Sequence, residues 1–122
     1  MLFRFAVRTA AATAALWLAS PQAAGTAAAD PFLLPPGAQG GWTAADKELH
    51  FAGSLAIAAT LRVAGRGEGA SFGCAVGVGA LKEIYDGALK PRRKGRGASW
   101  KDLVADALGA AAGVALVKTL DR

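Results

Sequence analysis

The chain has one cysteine, one histidine and five prolines in 122 residues, and only 7% of its residues are aromatic. A single cysteine excludes an internal disulfide framework and any zinc site of the CxxC kind. The shortage of aromatic and β-branched positions argues against an all-β fold. There is no phosphate-binding glycine loop, no Rossmann glycine pattern and no HExxH motif. The length suits one small domain and not two.

The uncharged cores of the three later helical segments are short as well. Phe51 to Leu61 gives eleven residues, Ala70 to Leu81 twelve, and Leu103 to Val117 fifteen with Asp106 inside it. A bilayer-crossing helix needs about 20 apolar residues. If all three segments crossed, Arg62 and Arg66 would lie on one side and the cations around Lys90–Arg96 on the other, which the positive-inside rule cannot satisfy together. The sequence therefore predicts a compact helical domain that docks on or dips into a membrane, with a multispanning protein as the second reading.

What the chain does have is small apolar residues. Apolar positions make up 53%, with 31 alanines, beside 16 glycines and 19% charged residues, which excludes a disordered charged tail. Arg4 and Arg8, an apolar run from Thr9 to Ala19, and the small-residue stretch to Gly25 have the layout of a secretory signal peptide over residues 1–25. An uncleaved N-terminal anchor is the alternative. Either places the remainder in the periplasm or at the inner membrane. No cysteine follows the run, so lipid attachment at a lipobox is excluded.

Beyond Gly25 the chain carries 12 basic and 9 acidic residues. Five of the cations fall in one stretch, Lys90, Arg92, Arg93, Lys94 and Arg96, leaving 7 basic against 9 acidic elsewhere. Such a local patch does not suit a nucleic-acid binder, whose charge spreads along a face or groove. It suits contact with anionic lipid headgroups, worth about 1 kcal/mol per cation, or else it is a solvated loop.

Residues 26–42, with three prolines and several glycines, read as a flexible lead-in to a helical domain over 43–122. Three helices are expected, from about Thr43 to Ala64, Ala70 to Lys90 and Ser99 to Leu120. Thr43-Ala-Ala-Asp46 and Ser99-Trp-Lys-Asp102 both match a capping box, with Thr43 and Ser99 as caps. The predicted fold is all-α, a compact bundle of three short Gly/Ala-rich antiparallel helices. Gly73/Gly77 and Gly109/Gly113 are GxxxG pairs, and Ser54/Ala58 and Ala52/Ala56 share that spacing. Small residues four apart let helix backbones approach closely. Cys74 is expected to be a small buried residue in that contact. The same glycine faces also allow a protein partner or a second copy.

The polar residues carry the strongest signal. The first and third helices begin alike, with a cap, an acid, then His50 or Asp106 a turn deeper on the same face. The second helix places Lys82, Glu83 and Asp86 at its opposite end. Short loops favour antiparallel neighbours, so Asp46, His50, Lys82, Glu83, Asp86, Asp102 and Asp106 should converge at one end. Plainer readings exist for each. Asp46 and Asp102 could simply complement helix dipoles. Lys82 and Asp86 could be a surface pair. His50 could be a core histidine bonded to Asp106 or Glu83. A charge in an apolar bundle must be paired, however. The cluster reads as a structural network, a ligand site or a catalytic site, the last being that of a metal-assisted or His-based hydrolase acting on an envelope lipid or peptidoglycan precursor. His50, Glu83 and Asp106 are ligand types that suit a metal, yet their spacing matches no strong metal signature, and no cofactor is expected from the sequence.

Asp46-Lys47-x-x-His50-Phe51, Gly79-Ala80-x-Lys82-Glu83-x-x-Asp86 and Ser99-Trp100-Lys101-Asp102-Leu103-x-x-Asp106-x-x-Gly109 resemble the YfiM-like family of small periplasmic lipoproteins or membrane proteins. More distantly they are similar to VanZ-like membrane proteins. The resemblance covers about residues 43–117 and implies an envelope location without implying a reaction. The family's lipobox cysteine has no counterpart here.

Overall fold

Residues 32–121 are described by the structure, a computed structural model. The segment read as a signal peptide and the start of the lead-in lie outside the described residues. Three helices pack as an antiparallel bundle: α1 (Ala45–Val63), α2 (Glu68–Ile84) and α3 (Trp100–Leu120). Among the described residues the only β pairing is an isolated bridge between Leu33 and Ala98.

The helix ends follow local chemistry, with one correction. Ser99 caps α3, its hydroxyl accepting from the Asp102 N–H at 3.3 Å. Thr43 does not cap α1. A tight turn links the Ala44 N–H to the Gly41 carbonyl at 3.2 Å, and the extended residue before the helix is Ala44. The helix therefore starts one residue later than the capping pattern implies, with Asp46 in its first turn. Gly65, at φ +83°, turns the chain between α1 and α2 in a conformation only glycine adopts cheaply.

The second helix does not run unbroken to Lys90. From Tyr85 to Leu89 it widens into a π-helical turn closed by the Lys90 N–H to the Tyr85 carbonyl at 2.8 Å. Residues 32–39 differ from a loose lead-in. They form a strap in which the Leu34 N–H donates to the Ala98 carbonyl at 2.8 Å and the Ala98 N–H donates to the Phe32 carbonyl at 2.7 Å. The buried Gln39 donates to the Leu34 carbonyl and accepts from the Ser99 hydroxyl and the Lys101 N–H. The strap closes the end of the bundle where the polar residues gather.

Packing between α1 and α3 uses glycine as expected. A Cβ on Gly109 would collide with the Phe51 carbonyl, and one on Gly113 with the Leu55 carbonyl. The Gly73/Gly77 pair does not pack. Both positions face open space, and Cys74 is exposed rather than buried. The buried stripe of α2 is Ser71, Ala75, Gly79 and Lys82. Gly73 and Gly77 sit two residues off that stripe, about 200° around the helix. The glycine that matters on α2 is Gly79, where a Cβ would collide with the Asp106 carboxylate.

The bundle is inverted in polarity. Its buried apolar residues are Ile57, Val117 and five alanines, whereas Lys47, His50, Lys82, Glu83, Asp86, Asp102 and Asp106 are all at most 3% exposed. Leu81, Leu89, Leu108 and Leu120 stand 59–76% exposed on the outside. A small apolar cluster of Ile57, Ala58, Ala75 and Ala110 fills the far half.

Glycine substitutions should separate the two GxxxG pairs. Gly77→Ala should stabilise by up to about 1 kcal/mol through helix propensity. Gly109→Ala should destabilise by roughly 1–3 kcal/mol through overpacking. Thermal unfolding followed by circular dichroism checks both.

Candidate functional site

Each helix contributes through a stripe at helical spacing. On α1 the stripe is Lys47, His50 and Ser54, on α3 Asp102 and Asp106, and on α2 Gly79, Lys82, Glu83 and, in the π turn, Asp86. Positions three or four apart share a face, so all of these point inward. Of the seven residues expected to converge, His50, Glu83, Asp102 and Asp106 meet around the imidazole, the partly exposed Asp46 joins them through Lys47, and Lys82 and Asp86 pair with each other.

His50 stands at the centre, 1% exposed. Its Nδ1 lies 3.0 Å from Asp106 Oδ1, and the Ser54 hydroxyl donates to the same oxygen at 3.0 Å. A carboxylate only accepts, so Nδ1 carries the proton. On the other side of the ring Nε2 lies 3.3 Å from Asp102 Oδ2 and 3.5 Å from Glu83 Oε1. Glu83 Oε2 accepts from the Ser99 N–H at 2.5 Å, while Oε1 is buried without a hydrogen-bond partner, as is Asp106 Oδ2.

Lys47 is the residue that sequence reasoning missed as a site member. It is 2% exposed, and its Nζ lies 2.5 Å from both Asp46 and Asp102. The available signal was its i, i+3 spacing to His50. Ser54 and Gln39 were missed as members of the network because a neutral polar residue carries no charge to flag it. Lys82, Asp86 and Lys90 form a second chain: Lys82 Nζ to Asp86 Oδ2 at 2.7 Å, and Lys90 Nζ to Asp86 Oδ1 at 3.4 Å. Lys82 and Asp86 are thus a buried pair and not a surface one.

The cationic loop divides. Lys90 is 7% exposed and committed to Asp86, so it is not a surface cation. Arg96 is half-buried, its Nε donating to the Lys90 carbonyl at 2.7 Å. Arg92, Arg93 and Lys94 are exposed in a short 3-10 turn. At the same end of the bundle Trp42 and Trp100 meet edge to face at 5.6 Å, with Lys101 5.4 Å from the Trp42 ring.

Burial sets the electrostatics. Glu83 is pushed up to about 7 by desolvation, which the Ser99 N–H and the neighbouring Lys82 only partly offset. Asp106 is also raised by burial, against the opposing hydrogen bonds from His50 and Ser54. Burial would raise Asp46 too, but its bond to Lys47 and that ammonium's charge win and lower it. Lys47, whose burial favours the neutral amine, is held above its ordinary range by Asp102 and Asp46.

The candidate metal ligands from the sequence were His50, Glu83 and Asp106. The structure changes the third member. Ligand atoms of His50, Glu83 and Asp102 lie within 4.8 Å of one another, while Asp106 holds the far side of the ring. A groove of about 240 Å³ lined by Trp42, Lys47, Glu48, Phe51, Ala105 and Leu108 opens next to Lys47. No family model, no curated protein and no solved structure matches the chain.

Two outcomes follow. Lys47→Met should cost on the order of 3–5 kcal/mol by leaving Asp102 uncompensated, measured by denaturant unfolding. Glu83 binds its proton more tightly folded than unfolded, so its contribution is most favourable below its ordinary value of 4.5 and is lost as pH rises towards 7. In chelator-containing buffer the protein should lose on the order of 3 kcal/mol between pH 4.5 and 8 from this group. Glu83→Gln should flatten the profile, and a wild-type stability that rises over this interval would contradict the assignment.

Proposed function

We propose that this chain is an exported cell-envelope protein that seats its apolar exterior in the membrane and uses its charged core as a binding site rather than a catalytic one. The inverted polarity carries this reading. An aqueous protein rarely exposes so much large apolar surface while burying charge. Charged side chains inside a membrane-associated bundle face its interior and pair with one another.

The apolar exterior has limits that favour immersion over a full crossing. On α1 no Asp, Glu, Lys or Arg lies between Glu48 and Arg62, and His50 is buried, a stretch of about 20 Å. On α3 the outward residues between Lys101 and Lys118 are uncharged, because Asp102 and Asp106 point inward, which gives about 24 Å. The α1 stretch falls well short of the roughly 30 Å hydrocarbon core, while α3, at 21 residues, is the one helix among the described residues long and apolar enough to cross by length and composition. The two tryptophans and the exposed Arg92, Arg93 and Lys94 supply interfacial and headgroup contacts at one end. The N-terminal signal-like pattern and the resemblance to YfiM-like proteins support an envelope location.

A hydrolase finds less support. The Ser54 hydroxyl donates to Asp106 rather than to the imidazole, so the nearest hydroxyl is not activated as a nucleophile. The outward Gly73/Gly77 face favours a second reading as a subunit of a membrane complex, because nothing in the bundle occupies it.

Vesicle flotation tests the membrane seat. Residues 26–122 should float with phosphatidylethanolamine–phosphatidylglycerol vesicles. Leu81→Glu with Leu108→Glu should abolish flotation while leaving the helical circular dichroism intact. Neutralising Arg92, Arg93 and Lys94 should weaken binding to anionic vesicles only. A monomer that remains in aqueous solution beside vesicles would overturn the reading.

A further inference from the structure

We infer that the three facing groups, His50 Nε2, Glu83 Oε1 and Asp102 Oδ2, are the ligands of a divalent transition-metal ion, with Asp106 as the residue that orients the imidazole. The inference rests on reading the core as a binding site, and it is independent of the membrane seat.

Geometry is the first support. Zinc–nitrogen and zinc–oxygen bonds of about 2.0–2.2 Å set ligand atoms at a tetrahedral site about 3.3–3.6 Å apart. The two separations from Nε2 are 3.3 Å to Asp102 and 3.5 Å to Glu83. These are longer than a charge-assisted hydrogen bond of about 2.7–2.9 Å, and they match the edges of a metal polyhedron.

Orientation is the second. With Nδ1 donating to Asp106, the ring directs Nε2 at two carboxylate oxygens. A cation seated between them would take all three as ligands at once. Ligating histidines characteristically donate their other N–H to a carboxylate, which fixes the tautomer and raises ligand basicity. Ser54 and Gly79 hold Asp106 in that role, the first by a hydrogen bond and the second by leaving room for its carboxylate.

The third support is an orphan atom. Glu83 is 2% exposed, and its Oε1 faces the imidazole without a hydrogen bond. A buried carboxylate oxygen left this way is costly, and a metal ion would satisfy it. Charge agrees: with every carboxyl ionised, as ligation of a metal requires, Asp46, Glu83, Asp86, Asp102 and Asp106 against Lys47, Lys82 and Lys90 leave a formal −2 with a neutral imidazole. A divalent cation neutralises that charge. One nitrogen and two carboxylate oxygens suit zinc, cobalt or manganese better than the thiophilic metals.

The test uses the full chain in detergent, purified without a polyhistidine tag, stripped with chelator, and carrying Cys74→Ser to remove the exposed thiol. Cobalt(II) serves as the spectroscopic probe and zinc as its competitor. One equivalent of cobalt with visible d–d bands, displaced by one equivalent of zinc, is expected. Glu83→Gln and His50→Gln should abolish these bands. Asp106→Asn should retain them with affinity weakened about 10–100-fold. Nitrogen-15 NMR of the wild type should show the metal on Nε2, which keeps the test decisive if a variant misfolds. Absence of stoichiometric binding by the folded wild type, binding unchanged in Glu83→Gln, or a metal shift on Nδ1 would overturn the site. Flotation of the same preparation separates this failure from failure of the membrane reading.

Discussion

Asp102 and Asp106 have no exposure at all, and they sit in a helix whose other inward residues are alanine, glycine and valine. An ionised carboxylate there is unfavourable by several kcal/mol unless a partner is held against it. Asp102 has the Lys47 ammonium, and Asp106 has the His50 ring and the Ser54 hydroxyl. All three partners lie on α1. That requirement fixes the rotation of α1 against α3, and Gly109 and Gly113 make it reachable by letting the two backbones approach. α2 joins by the same logic, with Glu83 delivered to the Ser99 N–H and Asp86 held between two lysines.

Concentrating charge inside a bundle this small has a consequence for the outside. Only a few alanines, Ile57 and Val117 are buried as apolar core, so hydrophobic burial among the helices is modest. The large apolar side chains remain at the surface. In water such a molecule would keep much of its apolar area solvated. In contact with lipid the exterior is matched to its surroundings, and the charged interior becomes the specific part of the structure. The strap over residues 32–39 and the π turn of α2 close the charged end, which keeps the pairs desolvated and therefore strong.

Much of this was legible in the sequence because charge is a conspicuous signal in an Ala/Gly background. Helix number and order, the Ser99 cap, the Gly109/Gly113 contact and the gathering of His50 with Glu83, Asp102 and Asp106 follow from spacing and antiparallel connection. What failed did so where several residues compete for one role. Thr43 matches a capping pattern as well as Ser99 does, but the turn ending at Ala44 claims its place. Gly73/Gly77 matches GxxxG as well as Gly109/Gly113 does, and only the buried stripe through Ala75 and Gly79 decides between them. Lys90 belongs by sequence to a run of cations, yet the π turn, which no periodicity announces, carries it back to Asp86. Which of Asp102 and Asp106 faces Nε2 and which faces Nδ1 depends on side-chain geometry that spacing does not encode.

The central claim is that residues 56 apart in sequence, His50 and Asp106, are coupled directly in the core. A double-mutant cycle with His50→Ala and Asp106→Ala, read by denaturant unfolding, measures that coupling. A coupling energy of roughly 1–3 kcal/mol is expected, the double variant losing less than the two single losses together. Losses that simply add, within about 0.5 kcal/mol, would mean the imidazole and the carboxylate do not meet, and the site built around them would not exist.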